Sequence, residues 1–331
     1  MAQVETLETK LTRRAALAGA LAALLLPSGR ARAAADTAPL RVVATTGMIA
    51  DAARQVGGAE VEVTALMGPG VDPHSYRQTR SDIVAMTRAD LVLWHGLYLE
   101  AQMEEFFRDL GRKRNVVAVA EALPRAVLRG HDDYADKFDP HVWMNPVLWK
   151  GVVREVQRAL TETRPEAAEV FAANAAAHLA ALDRLADYAA ASLARVPESA
   201  RVLVTAHDAF GYFGAQYGFE VLGIQGISTE SEAGLNRISA LVDLLVTRQI
   251  AAVFVESSVS DRNIRALIEG AAARGHQVRI GGELYSDAMG PDGSYEGTYL
   301  GMIDHNVTVI AGALGADVPE RGMDGKLSAG I

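Results

Sequence analysis

The chain has 331 residues, half of them hydrophobic, 22% charged and none cysteine, with a formal net charge of −9. That is enough for a sizeable core, and the length suggests two lobes. Lack of cysteine excludes disulfides, thiolate metal sites and cysteine nucleophiles, leaving His, Asp, Glu and Met as donors for any transition metal; the acidic balance disfavours nucleic acid as a partner.

Residues 1–33 have the pattern of an export signal peptide. Arg13 and Arg14 precede an apolar run over 15–26, and Ala31-Arg32-Ala33 offers a small-x-small cleavage site. The run is about 12 residues, too short to span a bilayer. The paired arginines suggest twin-arginine export, with an ordinary charged n-region as the alternative. Cleavage removes five basic and two acidic side chains, taking the net charge to −12. No cysteine follows the cleavage site, so the expected mature protein is soluble, periplasmic, free of a lipid anchor and without a transmembrane segment.

From there the spacing predicts alternating strands and helices. Strands are expected over 40–44, 61–67, 91–94 and 116–119, and helices over 48–56, 81–89 and 97–110. Asp72-Pro73-His74 lies on a loop after the break at Gly68-Pro69-Gly70. Residues 129–140 are polar and turn-rich. They lead into Pro140-His141-Val142-Trp143-Met144-Asn145-Pro146, where Trp143 and Pro146 suit no helix interior, so His141 is placed on a loop. The longest helical pattern begins near Pro165-Glu166, runs through alanine-rich sequence to Val196 and stops at Pro197. Phe171, Leu179, Leu182, Leu185, Ala189 and Leu193 share one face of it.

The rhythm then repeats. Strands are expected over 201–205, 220–224, 252–255 and 278–280, and helices over 209–217, 235–248, 264–274 and 299–314, with a frayed tail from Gly315. The expected fold is α/β: two βα lobes with parallel sheets, 37–160 and 198–331, joined by one long rigid helix within 161–197.

In such sheets ligands bind past the carboxyl ends of the strands. His207, in Thr205-Ala206-His207-Asp208, sits there. His74 and His141 also follow strand ends or loops and are bracketed by prolines, and Asp287 follows a Gly-rich turn. Three imidazoles and a carboxylate make a complete tetrahedral shell for a divalent transition metal. Glu283 is the rival carboxylate in that last segment. Glu256 and Asp208 could accept a ligand's free N–H. His95 points toward the crevice, His131 sits in a polar loop as a weak metal scavenger, and His178, His276 and His305 have ordinary packing or surface contexts. No phosphate loop, nucleophile elbow or H-E-x-x-H occurs.

The motifs Asp72-Pro73-His74, Asp139-Pro140-His141-Val142-Trp143, residues 206–213 (AHDAFGYF), residues 225–230 (QGISTE) and residues 282–290 (GELYSDAMG) together resemble the cluster A-I, or cluster 9, metal receptors of bacterial ABC importers. The resemblance covers nearly the whole mature chain. It implies a monomeric periplasmic binding protein with one metal in the interlobe cleft, held by His74, His141, His207 and Asp287. The ion would pass to an inner-membrane permease driven by a separate ATPase. Many manganese receptors of this family look to carry Glu where His207 stands, which favours Zn²⁺; members dedicated to zinc carry a long His-rich loop, absent here, which keeps Mn²⁺ next. The rival readings are a metal-dependent hydrolase and a surface adhesin.

Overall fold

Two short apolar runs, β1 (Leu40–Ala44) and β3 (Leu91–Trp94), form the middle of the first sheet, where burial on both faces removes the polar alternation of a half-exposed strand. β2 (Val61–Ala65) and β4 (Val116–Ala118) flank them in the order β2-β1-β3-β4, all parallel. The computed structural model describes residues 38–131, 134–231 and 233–328; the expected signal peptide lies outside them. Among the described residues no helix is long and apolar enough to cross a membrane.

Helices α1 (Gly47–Gly57), α2 (Arg80–Arg88) and α3 (Glu104–Gly111) belong to this first half. A capping box fixes the start of α2: Thr79 and Asp82 exchange backbone-to-side-chain hydrogen bonds at 2.6 and 3.3 Å. The helix expected over 97–110 begins late, at Glu104. The buried Glu100 carboxylate accepts the His95 N–H at 2.7 Å, the Gly96 N–H at 3.2 Å and the Thr45 hydroxyl at 2.6 Å. That network holds Gly96, Leu97 and Tyr98 at positive φ, a left-handed turn no helix can include.

Helix α4 (Pro146–Thr163) has no counterpart in the expected elements. Pro146 occupies its first position, where the missing N–H costs nothing, and the Asn145 side chain caps it by accepting the Val147 N–H at 2.9 Å. After a 3₁₀ turn, Pro165–Ala167, comes α5 (Ala168–Leu193), about 39 Å of helix at ~1.5 Å per residue. Its buried stripe, Phe171, Ala175, His178, Leu182, Leu185 and Ala189, follows the helical period.

The second half pairs β5 (Val202–Thr205) with β6 (Glu220–Gly223), and β7 (Ala252–Glu256) with β8 (Arg279–Leu284), each pair parallel, with β5 beside β7. Helices α6 (Gly211–Tyr217), α7 (Leu235–Arg248), α8 (Arg262–Ala272) and α9 (Tyr299–Ala313) complete it. The expected frayed tail is instead packed. Leu327 is fully buried, the Met323 N–H reaches the Asp304 carboxylate at 3.0 Å, and the Ser328 N–H reaches Glu296 at 2.7 Å. Buried acceptors on and before α9 supply the order that no periodicity announces.

Helix α5 packs on α1 and α4 from the first half and on α9 from the second. One apolar core therefore runs from Val42 and Ile49 through Phe171 and Leu185 to Tyr299 and Val307. Tyr299 stacks on Trp149 at 5.2 Å, donates its hydroxyl to the Trp143 carbonyl at 2.7 Å, and gives its N–H to Asp51 at 3.0 Å. Replacing Tyr299 by Phe leaves that carbonyl unpartnered in the core, a cost of about 1–2 kcal/mol. The expected result, read by calorimetry on metal-free protein, is a thermal midpoint lower by roughly 2–4 °C with one cooperative transition retained.

Candidate metal centre

The site assembles where several parallel strands end. His207 follows β5, Glu256 is the last residue of β7, Asp287 lies three residues past β8, and His74 lies on the loop after β2. His141 comes just before a 3₁₀ turn, Val142–Met144. Donor atoms of His74, His141, His207 and Asp287 all lie within 4.8 Å of one another, and all four residues are buried. Glu283, the rival carboxylate, is exposed and takes part only through its backbone, whose carbonyl accepts from His305 at 2.9 Å.

Two histidines enter through the same tripeptide, Asp-Pro-His. Asp72 Oδ1 accepts the His74 N–H at 2.9 Å, and Asp139 Oδ1 accepts the His141 N–H at 3.0 Å. Each is an Asx turn with proline restricting its middle residue. Asp139 does more, accepting the His141 Nδ1–H at 2.8 Å. Glu256 does the same for His207, taking its backbone N–H at 2.9 Å and its Nδ1–H at 2.6 Å. Glu256, rather than Asp208, therefore fills the acceptor role weighed for both. These bonds place the ring hydrogen on Nδ1 and leave Nε2 as the bare donor.

The three Nε2 atoms face one another. Nε2 of His141 lies 3.3 Å from that of His74 and 3.4 Å from that of His207. Asp287 closes the figure with Oδ1 at 3.3 Å from His141 and Oδ2 at 3.2 Å from His207 and 3.9 Å from His74. A tetrahedron of donors at ~2.0–2.1 Å from its centre has edges of about 3.3 Å. Lone pairs at this spacing repel unless a cation, proton or metal, sits among them. Both Asp287 oxygens are buried without a well-aligned hydrogen-bond donor, as expected of groups reserved for an ion.

Charges around the cage set its protonation. Burial alone would depress His141, but its hydrogen bond to Asp139 and the nearby carboxylates of Asp139 and Asp287 outweigh it and lift the imidazole to about 9. His207 is opposed by burial too, yet the charges of Asp287 and Glu256 raise it well above its ordinary value. His74 follows its burial and falls to about 3. Asp287, which burial would push up, is held well below the usual carboxylate range by His207 and His141.

Further residues position the rest. His95 is buried, and its Nε2–H reaches the Pro140 carbonyl at 2.7 Å, bracing the backbone beside His141 without joining the cage. The Trp143 indole N–H donates to the Ser286 carbonyl at 2.8 Å, tying the His141 segment to the residue before Asp287. Arg129 lies 3.8 Å from Asp139, and the Tyr212 hydroxyl donates to the Asp139 carbonyl at 2.9 Å. The recurrence of Asp-Pro-His was the signal for Asp139. His131 packs its ring against Tyr134 at 4.8 Å and lies outside the cage.

The chain is similar to known proteins over most of its length. The manganese-binding lipoprotein MntA of Bacillus subtilis (strain 168) is 49% identical over 275 residues, 83% of this chain and 90% of that one. The zinc-binding protein TroA of Treponema pallidum (strain Nichols) is 46% identical over 286 residues, 86% of this chain and 92% of that one. The solved structure of the periplasmic zinc-binding protein TroA from Treponema pallidum superposes with a TM-score of 0.81 at 44% identity, covering 83% of this chain and 99% of its own. The family model described as zinc-uptake complex component A, periplasmic, matches residues 42–313, and the chain belongs to that ZnuA family.

Proposed function

We propose that this protein captures a divalent transition metal ion outside the cytoplasm, holds it with His74, His141, His207 and Asp287, and delivers it to the permease of an ABC importer. The observation that carries this reading is the convergence of three imidazole Nε2 atoms and the Asp287 carboxylate, with four separations of 3.2–3.4 Å, one of 3.9 Å between His74 and Asp287, and all donor atoms within 4.8 Å of one another. In this reading residues 1–33 direct export, the mature chain works in the periplasm as a monomer, and 37–160 and 198–331 act as lobes about the helix within 161–197.

Zn²⁺ suits the cage best. Three imidazoles and a carboxylate at tetrahedral spacing match its preference, whereas Mn²⁺ favours more oxygen donors. One feature keeps Mn²⁺ as the second reading. Both Asp287 oxygens face the nitrogens, so the carboxylate can supply a fifth donor. A dipositive ion beside the buried Asp287, Asp139 and Glu256 leaves a net charge of only −1, with the exposed Arg129 3.8 Å from Asp139, which limits the cost of taking the ion from water.

A hydrolytic role fits less well. Catalytic zinc sites keep a position open for water, and this cage is enclosed. Asp139 and Glu256, the nearest carboxylates outside it, are both engaged by imidazole N–H groups and so are poorly placed to activate water.

Elemental analysis of the exported protein and a chelator-competition titration of Zn²⁺ against Mn²⁺ test the proposal. Uptake of neither ion would sink it. Asp287→Ala is expected to weaken Zn²⁺ binding by more than about 100-fold and Glu256→Gln by about 10–100-fold, while Glu283→Ala leaves it unchanged.

Acidity gives a further check. A metal must displace the protons that Asp287, Asp139 and Glu256 stabilise on His141 and His207. Affinity is therefore expected to climb with pH to about 9, beyond the ordinary imidazole range. In the metal-free protein the sign reverses. A raised imidazole contributes stability that is full below its unfolded value of about 6.5 and is lost as pH passes about 9. Chelator titrations at pH 6, 7.5 and 9 that return one affinity would contradict the scheme.

A further inference from the structure

Residues 224–231 run from the end of β6 across to the first half, and the capture chemistry above makes no use of them. At one end they are pinned beside His207. The Gln225 N–H donates to the Ala206 carbonyl at 2.9 Å, and the Asp208 N–H donates to the Gly226 carbonyl at 3.2 Å, so the residues on either side of His207 are both engaged. The approach is close. A Cβ on Gly223 would lie 2.6 Å from the Asp208 nitrogen and 2.7 Å from the Gln225 oxygen. The Gln225 side chain then folds the segment on itself, donating to the Ser231 carbonyl at 3.1 Å and the Thr229 carbonyl at 3.4 Å.

At the other end the Thr229 hydroxyl donates to Asp72 Oδ2 at 2.6 Å, across 157 positions of sequence. Asp72 is the acceptor that shapes the Asp-Pro-His turn, taking the His74 N–H on Oδ1 and the Ser75 hydroxyl at 2.9 Å on Oδ2. Glu230 makes a second crossing by accepting from the Gln102 amide. His141 and His207 are aimed by carboxylates on Nδ1, whereas His74 is aimed through its backbone, by Asp72.

We propose that residues 224–231 are a strap coupling two metal ligands, His74 and His207, with Thr229 and Asp72 as positioning residues whose hydrogen bond governs how long a captured ion is held. The inference rests on the metal-binding reading. Freeing Thr229 lets the Asp72 turn, and His74 with it, move away from the cage while the strand end carrying His207 stays in place. The ion then loses one donor before the others. The step slowed by the strap is dissociation, because the diffusional approach of the ion does not depend on a bond already closed.

The test is stopped-flow release of Zn²⁺ from the full chain into excess chelator, with association followed separately. Thr229→Val keeps the shape and removes the hydroxyl, and a bond to a charged acceptor is worth about tenfold, so release is expected about tenfold faster with association unchanged. Thr229→Ser keeps a hydroxyl and is expected to release at the wild-type rate, which a loss of packing alone would not restore. Asp72→Asn weakens the acceptor from the other side and is expected to speed release in the same direction, giving a second measurement should valine at 229 misfold. Wild-type release rates in both Thr229→Val and Asp72→Asn overturn the strap. A wild-type chain that takes up no Zn²⁺ overturns the function beneath it as well.

Discussion

Three imidazoles held with their Nε2 atoms facing inward are the constraint that the rest of the molecule serves. Left alone, an imidazole can turn, change tautomer or pick up a proton. Here Asp139 and Glu256 fix ring orientation and tautomer for His141 and His207 by accepting their Nδ1 hydrogens. The price is a buried cluster of negative charge, and it is tolerable only because a cation completes it. The same carboxylates that aim the ligands thus make the empty cage a strong proton acceptor, so protons and metal compete for one volume.

The buried cluster requires both halves of the chain to keep one spacing. His74 and His141 come from the first half, and His207 and Asp287 from the second. Shared apolar packing supplies the register. Helix α5 touches helices from both halves, and Trp143, Trp149 and Tyr299 bridge them by stacking and hydrogen bonds. Wide separation would expose a continuous core, so the movements open to the protein at low cost are those of loops around the cage.

Much of this was legible in the sequence, for identifiable reasons. The βα alternation and the long alanine-rich helix follow from hydrophobic period, and their place near strand ends among prolines and glycines marked His74, His141, His207 and Asp287 as candidates, with Glu283 left as a rival. What escaped was local chemistry whose partner lies far along the chain. Pro146 looked like a helix breaker because Asn145 had not been seen as its cap. Residues 97–103 had helical spacing, but Glu100 spends its carboxylate on the preceding backbone, where Leu97 and Tyr98 turn left-handed, and only a 3₁₀ turn over Ala101–Met103 precedes the helix. The tail beyond Gly315 has no pattern of its own, and its order comes from Asp304 and Glu296. Asp139 was visible in its motif, but its bond to a ring nitrogen needed the turn to be folded first.

The tryptophan beside the cage has an optical consequence. Trp143 lies fully buried with its ring 5.0 Å from that of His141, and its indole N–H is spent on the residue before Asp287. An imidazolium next to an indole drains its excited state, whereas a neutral imidazole does so far less. Under the proposed function, exchange of proton for metal at His141 would therefore change the light emitted by a chromophore already in the chain, and the protein would signal its own occupancy without a dye.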